Sequence, residues 1–244
     1  MNSYLMTDKG LARSTNQDDV LAVVKEDGDS LFVLCDGMGG HAGGAVACKK
    51  CINVFKNDFK RSKYQDVDSA KEWLYKTILK ANKEIITAGN KDLKLKGMGT
   101  TAVCLLVSKD FKVYASVGDS RIYAYNKKTI KQISEDQTFA AALYKAGYIN
   151  EKEVKNHPRR SMLLCAIGTT PNNALDVQIK EVKGNDNYLI CSDGLYNMLE
   201  DNEIKKILDE NISIKEKADK LINEANDNGG FDNISVILLE GGLW

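Results

Sequence analysis

The chain has 244 residues, with 43% hydrophobic and 28% charged residues, which is ordinary globular composition and excludes disorder, collagen and fibrous classes. Its 34 Lys plus Arg balance 34 Asp plus Glu, so there is no net charge and no basic excess to suggest a nucleic-acid partner. At this length a core can form without disulfides or structural metal, and two histidines are too few for a poly-His zinc site.

In chain order, the start MNSYLMTDKG lacks the basic and apolar regions of a secretory signal. Two runs, 20–24 and 31–35, flank the turn dipeptide Asp27-Gly28 and predict a hairpin. Five glycines within 37–44 precede an amphipathic helix whose face is Cys48, Cys51, Ile52, Phe55 and Phe59. That spacing assigns the lone C-x-x-C pair to core packing rather than to redox or zinc chemistry. A second helix is predicted from Ser69, with Glu72 completing its capping box. Strands are predicted at 101–107, 112–117, 121–125 and 129–133.

A weakly patterned helical stretch over 138–155 follows. The only prolines, Pro158 and Pro171, bracket 159–170 and mark it as a surface excursion. Strands are predicted at 175–179 and 188–191, helices at 200–208 and after Ser213, and a last strand at 234–239. No apolar run approaches the roughly 20 residues needed to cross a bilayer, so a cytoplasmic chain without membrane contact is expected. Strands and helices come in runs, without regular βαβ alternation. The expected fold class is therefore α+β: two mostly antiparallel sheets packed as a sandwich, flanked by helices on both faces, in a single domain spanning 1–244.

Asp36, Asp119 and Asp193 each follow an apolar strand, and Asp232 precedes one. A carboxylate held against a core edge is costly unless it is paired or ligates a metal. Four in the same setting point to convergence at one end of a sandwich. Oxygen ligands alone suit Mg²⁺ or Mn²⁺ and suit zinc poorly. Gly37, Gly39 and Ala42 satisfy G-x-G-x-x-A, but the continuous helical face of 46–59 leaves no second strand for a dinucleotide fold. Glycine instead lets the Gly37 carbonyl approach a metal's water shell. Arg13, close in sequence to Asp18 and Asp19, offers a guanidinium suited to phosphate.

The ordered motifs GLARSTNQD (10–18), CDGMGGHAGG (35–44), GMGTTAV (97–103), VGDSRIY (117–123), ISEDQT (133–138), HPRRSMLLCAIGT (157–169), CSDGL (191–195) and GGFDNISV (229–236) span nearly the whole chain. In them the chain resembles the metal-dependent protein phosphatases, the type 2C serine/threonine phosphatases, in their bacterial branch. The resemblance implies that Asp36 bridges two divalent ions, with the Gly37 carbonyl on one of them. It implies that Asp193 and Asp232 complete the second ion's shell, and that Asp18 ligates or holds water. Asp119 with Asp193 would support a third, weaker ion.

The resemblance further implies that Arg13 binds the substrate phosphate and that 138–170 forms a flap beside the site. A metal-bridging water would attack phosphoserine or phosphothreonine on proteins, among them a serine/threonine kinase and its targets, and the enzyme would be monomeric. Met38 stands where eukaryotic relatives have a histidine proposed as general acid, and Gln137 where many have histidine. His41 is read as a helix-start residue, outside the catalytic set. The alternatives are a catalytically silent pseudophosphatase that binds phosphoproteins and, less simply, a nucleotide-binding module on 37–44.

Overall fold

The structure, a computed structural model, describes residues 2–39, 42–184 and 187–241. Its strands are β1 (Asn2–Asp8), β2 (Asp19–Val24), β3 (Ser30–Cys35), β4 (Gly37–Met38), β5 (Gly99–Thr100), β6 (Ala102–Val107), β7 (Lys112–Val117), β8 (Arg121–Tyr125), β9 (Ile130–Gln132), β10 (Gln178–Glu181), β11 (Asn187–Cys191) and β12 (Ile234–Glu240). The helices are α1 (Gly43–Arg61), α2 (Val67–Lys91), α3 (Phe139–Lys145), α4 (Glu151–Asn156), α5 (Asp193–Tyr196), α6 (Asp201–Asp209) and α7 (Ile214–Asp227).

The strands form two antiparallel sheets, ordered β1-β12-β11-β8-β9 and β10-β7-β6-β3-β2, and a small β4–β5 ribbon. Alternation along β3 shows how the layers assemble. Phe32 and Leu34 meet Ile122, Ile190 and Ile237 between the sheets. Leu31, Val33 and Cys35 face the opposite way, onto a core shared with α1 and α2. On the far side, Leu189, Cys191, Val236 and Leu238 pack against α6 and α7. Strands buried on both faces read as unbroken apolar runs, which is why they stood out in the sequence. The expected α+β sandwich with helices outside both sheets is present.

All five residues of the predicted α1 face are buried. All six cysteines are free and buried, so Cys48 and Cys51 are packing residues. Asp27-Gly28 lies in a turn, with Gly28 at φ +92.

Several expectations are corrected. The N-cap of α2 is Asp66, not Ser69: Asp66 accepts from the Ser69 backbone at 2.8 Å, and the Ser69 hydroxyl closes the box in reverse. Glu72 pairs with Lys76 along the helix instead. The stretch predicted helical over 138–155 is two helices, broken at Gly147, whose φ of +79 no helix accommodates. The strand predicted at 175–179 starts later, at Gln178, because a 3-10 turn over Asn172–Ala174 follows Pro171.

The bracketed segment is not all surface. Cys165, Ala166 and Ile167 are buried, and Ile167 exchanges two backbone hydrogen bonds with Thr100 (2.8 and 2.9 Å). β1, an edge strand that sequence reading passed over, pairs with β12 over its full length. Gly40 and His41 lie outside the described residues.

Candidate active site

The carboxylates are set by strand ends. Asp36 follows β3, Asp119 lies in the β7–β8 turn, Asp193 opens α5 one residue beyond β11, and Asp232 precedes β12. Because β3, β7, β11 and β12 deliver their chain breaks to the same end of the sandwich, the four acids surround one cavity of about 590 Å³. Arg13, Gly37 and Met38 share its wall, and Ser161 and Leu163 close one side.

Backbone anchors fix each position. The Asp36 N–H donates to Thr101 Oγ1 (3.0 Å), and its carbonyl accepts from the Thr101 N–H and the Thr100 hydroxyl, both at 2.9 Å. Those bonds give GMGTTAV its place in the site. Gly37 and Gly44 pack backbone to backbone: a Cβ on Gly37 would lie 2.5 Å from the Gln17 carbonyl and 2.6 Å from Gly44. Gly118, at φ +100, turns the chain into Asp119 where a side chain would meet Thr101.

Asp18 does not line the cavity wall directly. One carboxylate oxygen, Oδ2, accepts from Ser192 Oγ (2.8 Å) and Ser235 Oγ (2.7 Å). The other, Oδ1, is buried with no hydrogen-bond partner. A buried anionic oxygen without a donor is costly, and a cation is the partner that such an atom lacks.

Arg13 finds its acidic partner far along the chain. Its Nη2 donates to Asp232 Oδ2 at 2.7 Å rather than to Asp18 or Asp19. The reason is the loop path: Gly230 accepts from the Leu11 and Ala12 N–H groups, which brings Arg13 to the segment ahead of β12.

The charges are mutually unfavourable. Burial, and then the like charges of Asp18, Asp193 and Asp119, hold the Asp36 carboxyl well above the usual range. Burial raises Asp18 to about 7 against the bonds from Ser235 and Ser192. Asp119 rises to about 8 through burial and the charges of Asp193 and Asp136. Asp193 rises to about 6 through burial and Asp232. Desolvated carboxylates crowded together push one another toward the neutral form.

Among the described residues no three acidic, cysteine or histidine side chains are drawn together as a closed cage. The four acids instead line the opening of the cavity. An oxygen-liganded ion that keeps several waters needs only one or two of them directly. The donor set, all oxygen with one orphaned oxygen atom, fits a hard divalent cation.

The sequence reading missed Asn233 and left Gln137 without a role. Asn233 stitches the 9–17 loop to β12, accepting from the Gln17 N–H (2.8 Å) and donating to the Lys9 (2.8 Å) and Thr15 (3.0 Å) carbonyls. Gln137 accepts from the Gly118 N–H (2.7 Å) and donates to the Asp176 carbonyl (2.9 Å), bracing the turn that carries Asp119. A side-chain amide in a turn carries no sequence signal of its own; only its partners reveal the role.

The model of the protein phosphatase 2C family matches residues 11–229. The chain is 35% identical over 244 residues to a serine/threonine phosphatase, stp, of Listeria welshimeri, covering 100% of this chain and 97% of that protein. Protein phosphatase PhpP of Streptococcus pneumoniae is 32% identical over 239 residues, covering 98% and 97%. The crystal structure of Stp1 from Staphylococcus aureus superposes with a TM-score of 0.91 at 35% identity, covering 98% of this chain and 95% of that one. The chain belongs to the protein phosphatase 2C family, and it is an enzyme, a protein phosphatase.

Proposed function

We propose that this phosphatase hydrolyses phosphoserine and phosphothreonine esters on proteins and depends on two divalent cations, Mn²⁺ or Mg²⁺, with a third bound more weakly. Asp36, the Gly37 carbonyl, Asp193 and Asp232 would hold the pair. Asp18 would be a further ligand or hold water, and Asp119 with Asp193 would hold the third ion. Bound there, divalent cations supply Lewis acidity, making water nucleophilic at neutral pH and offsetting phosphoryl charge.

The protein's own groups do the rest. Arg13, half exposed beside Asp232, presents a planar fork that matches two phosphate oxygens. Its ion pair with Asp232 keeps it at the cavity mouth until a phosphate competes for it. Among the described residues no cysteine or histidine lines the cavity. Met38 occupies the wall with a thioether that carries no transferable proton. In this reading water would serve both as the nucleophile and as the donor to the leaving alcohol.

The observation that supports this most is the gathering of Asp36, Asp119, Asp193 and Asp232 on one cavity, although they are far apart in the chain. The structural relatives and the resemblance of the motifs point the same way. By the same reading, residues 138–170 act as a flap, with Ser161 and Leu163 as its inner wall. The enzyme works as a cytoplasmic monomer on a serine/threonine kinase and that kinase's targets. Six free, buried cysteines fit a reducing compartment, and no described helix is long and apolar enough to cross a membrane.

The test is an assay on a phosphothreonine peptide after chelator treatment, with Mn²⁺ or Mg²⁺ restored separately. Activity should vanish on stripping and return with either ion. Full turnover in the stripped protein would refute the proposal.

A further inference from the structure

Asp193 and Tyr196 are the first and last residues of α5, so both side chains ride on one helical turn. Tyr196 Oη donates a 3.1 Å hydrogen bond to the backbone carbonyl of Asp119. That bond joins the chain at Asp193 directly to the chain at Asp119, which arrives from the other sheet's β7.

The Tyr196 ring is itself clamped. The Arg121 guanidinium lies over it, with Cζ 3.5 Å from the ring centroid. Arg121, two residues beyond Asp119, is held by Asp136 through Nε (3.1 Å) and Nη2 (2.7 Å). Its Nη1 donates to Tyr123 Oη at 2.9 Å, and that hydroxyl donates to Asp201 at 3.2 Å. A fork fixed on three sides and stacked on an aromatic face leaves little freedom to the ring beneath it. Neither Tyr196, Arg121 nor Asp136 lines the cavity. The network lies behind the site and cannot touch a substrate there.

Asp119 and Asp193 repel each other as anions, and a cation between them must find both at a workable spacing. We propose that Tyr196 is a positioning residue: its hydroxyl, steadied by Arg121, sets the distance between the Asp119 turn and α5. It thereby sets the affinity of the divalent-cation position these two acids share. The inference rests on the reading of the cavity as a cation site.

Three proteins test it by calorimetric titration with Mn²⁺ after chelator treatment: the wild type, Tyr196→Phe and Tyr123→Phe. Tyr196→Phe keeps the ring under Arg121 and removes only the bond to Asp119. Its weakest binding event should lose roughly 3- to 10-fold in affinity, the worth of one hydrogen bond, with the tighter events unchanged. Turnover should fall at limiting Mn²⁺ and recover in excess. Tyr123→Phe removes a hydroxyl from the same network with no contact to Asp119. It should lower the melting temperature and leave Mn²⁺ binding intact. Wild-type titration in Tyr196→Phe, or an equal loss in Tyr123→Phe, would overturn the tether. If the wild type took up no Mn²⁺, the cation-site reading would fall too, whereas normal uptake with an unaltered Tyr196→Phe defeats the tether alone.

Discussion

Arg13 Nη2 lies 2.7 Å from Asp232 Oδ2, and the two side chains are 55% and 36% exposed. So open an ion pair contributes little to stability, which frees the guanidinium for a better anion. Phosphate is that anion, since it offers a bidentate face and more charge. Arg13→Ala should lower kcat/KM on a phosphothreonine peptide by roughly 10- to 100-fold, the scale of one charge-assisted contact. The melting temperature should stay within a degree or two. Unchanged kinetics would remove Arg13 from substrate binding.

Asp193 is under opposing electrostatic demands. Its carboxylate is raised by burial and by Asp232, and is relieved by Asp36, Arg13 and Arg121. Asp193→Asn keeps the shape and removes one of the crowded charges. Turnover should be lost, while the cation-free variant melts at or above the wild-type temperature because a repulsive partner has gone. An active variant, or a clearly less stable one, would show that the charge is not held there for chemistry.

The raised carboxyls also fix how stability follows pH. Asp18 (about 7), Asp119 (about 8) and Asp193 (about 6) stand above the ordinary value near 4, chiefly through burial, and Asp36 moves the same way. The folded chain therefore keeps protons that the unfolded chain has released, so folding weakens as pH rises from about 4 through about 8. Depressed acids such as Glu135 have already completed their contribution below this window. The cation-free protein should melt higher at pH 6 than at pH 8. Mn²⁺ at about 100 times its Kd at pH 6 should add about 2.7 kcal/mol there, or roughly 5–11 °C, and the same concentration should add more at pH 8, where protons compete less. A cation-free melting temperature that climbs from pH 6 to pH 8 would contradict this.

Much of this architecture was legible because the strands are buried on both faces. Runs such as 31–35 and 234–239 announce themselves, and the aspartates at their ends follow. What was hidden depended on partners far along the chain. β1 has a half-exposed, mixed pattern, and only its pairing with β12 makes it a strand. Asp66 outcompeted Ser69 as the α2 cap because two acceptors within one turn look alike in sequence. Arg13 read as a neighbour of Asp18 because spacing along a loop says nothing of the loop's path. That path is set by Gly230 and Asn233, more than 210 residues away.

Asn233 is accordingly where a neutral side chain should matter most. It is 6% exposed, and its amide satisfies three backbone groups of the 9–17 loop, which carries Arg13 and leads into Asp18. Asn233→Ala leaves those groups without partners in a nearly closed setting, at a cost of about 1–3 kcal/mol. For a chain of this size that is a fall of roughly 2–12 °C in melting temperature. The loop should also drift from the cavity, so kcat/KM drops at a temperature where the variant is still fully folded, with a rise in KM as Arg13 loses its place. Saturating Mn²⁺ should recover only part of that loss, because the cations do not hold residues 9–15. Wild-type kinetics in a folded Asn233→Ala protein would mean that the loop finds its position without the amide, and that β12 only passes beside it.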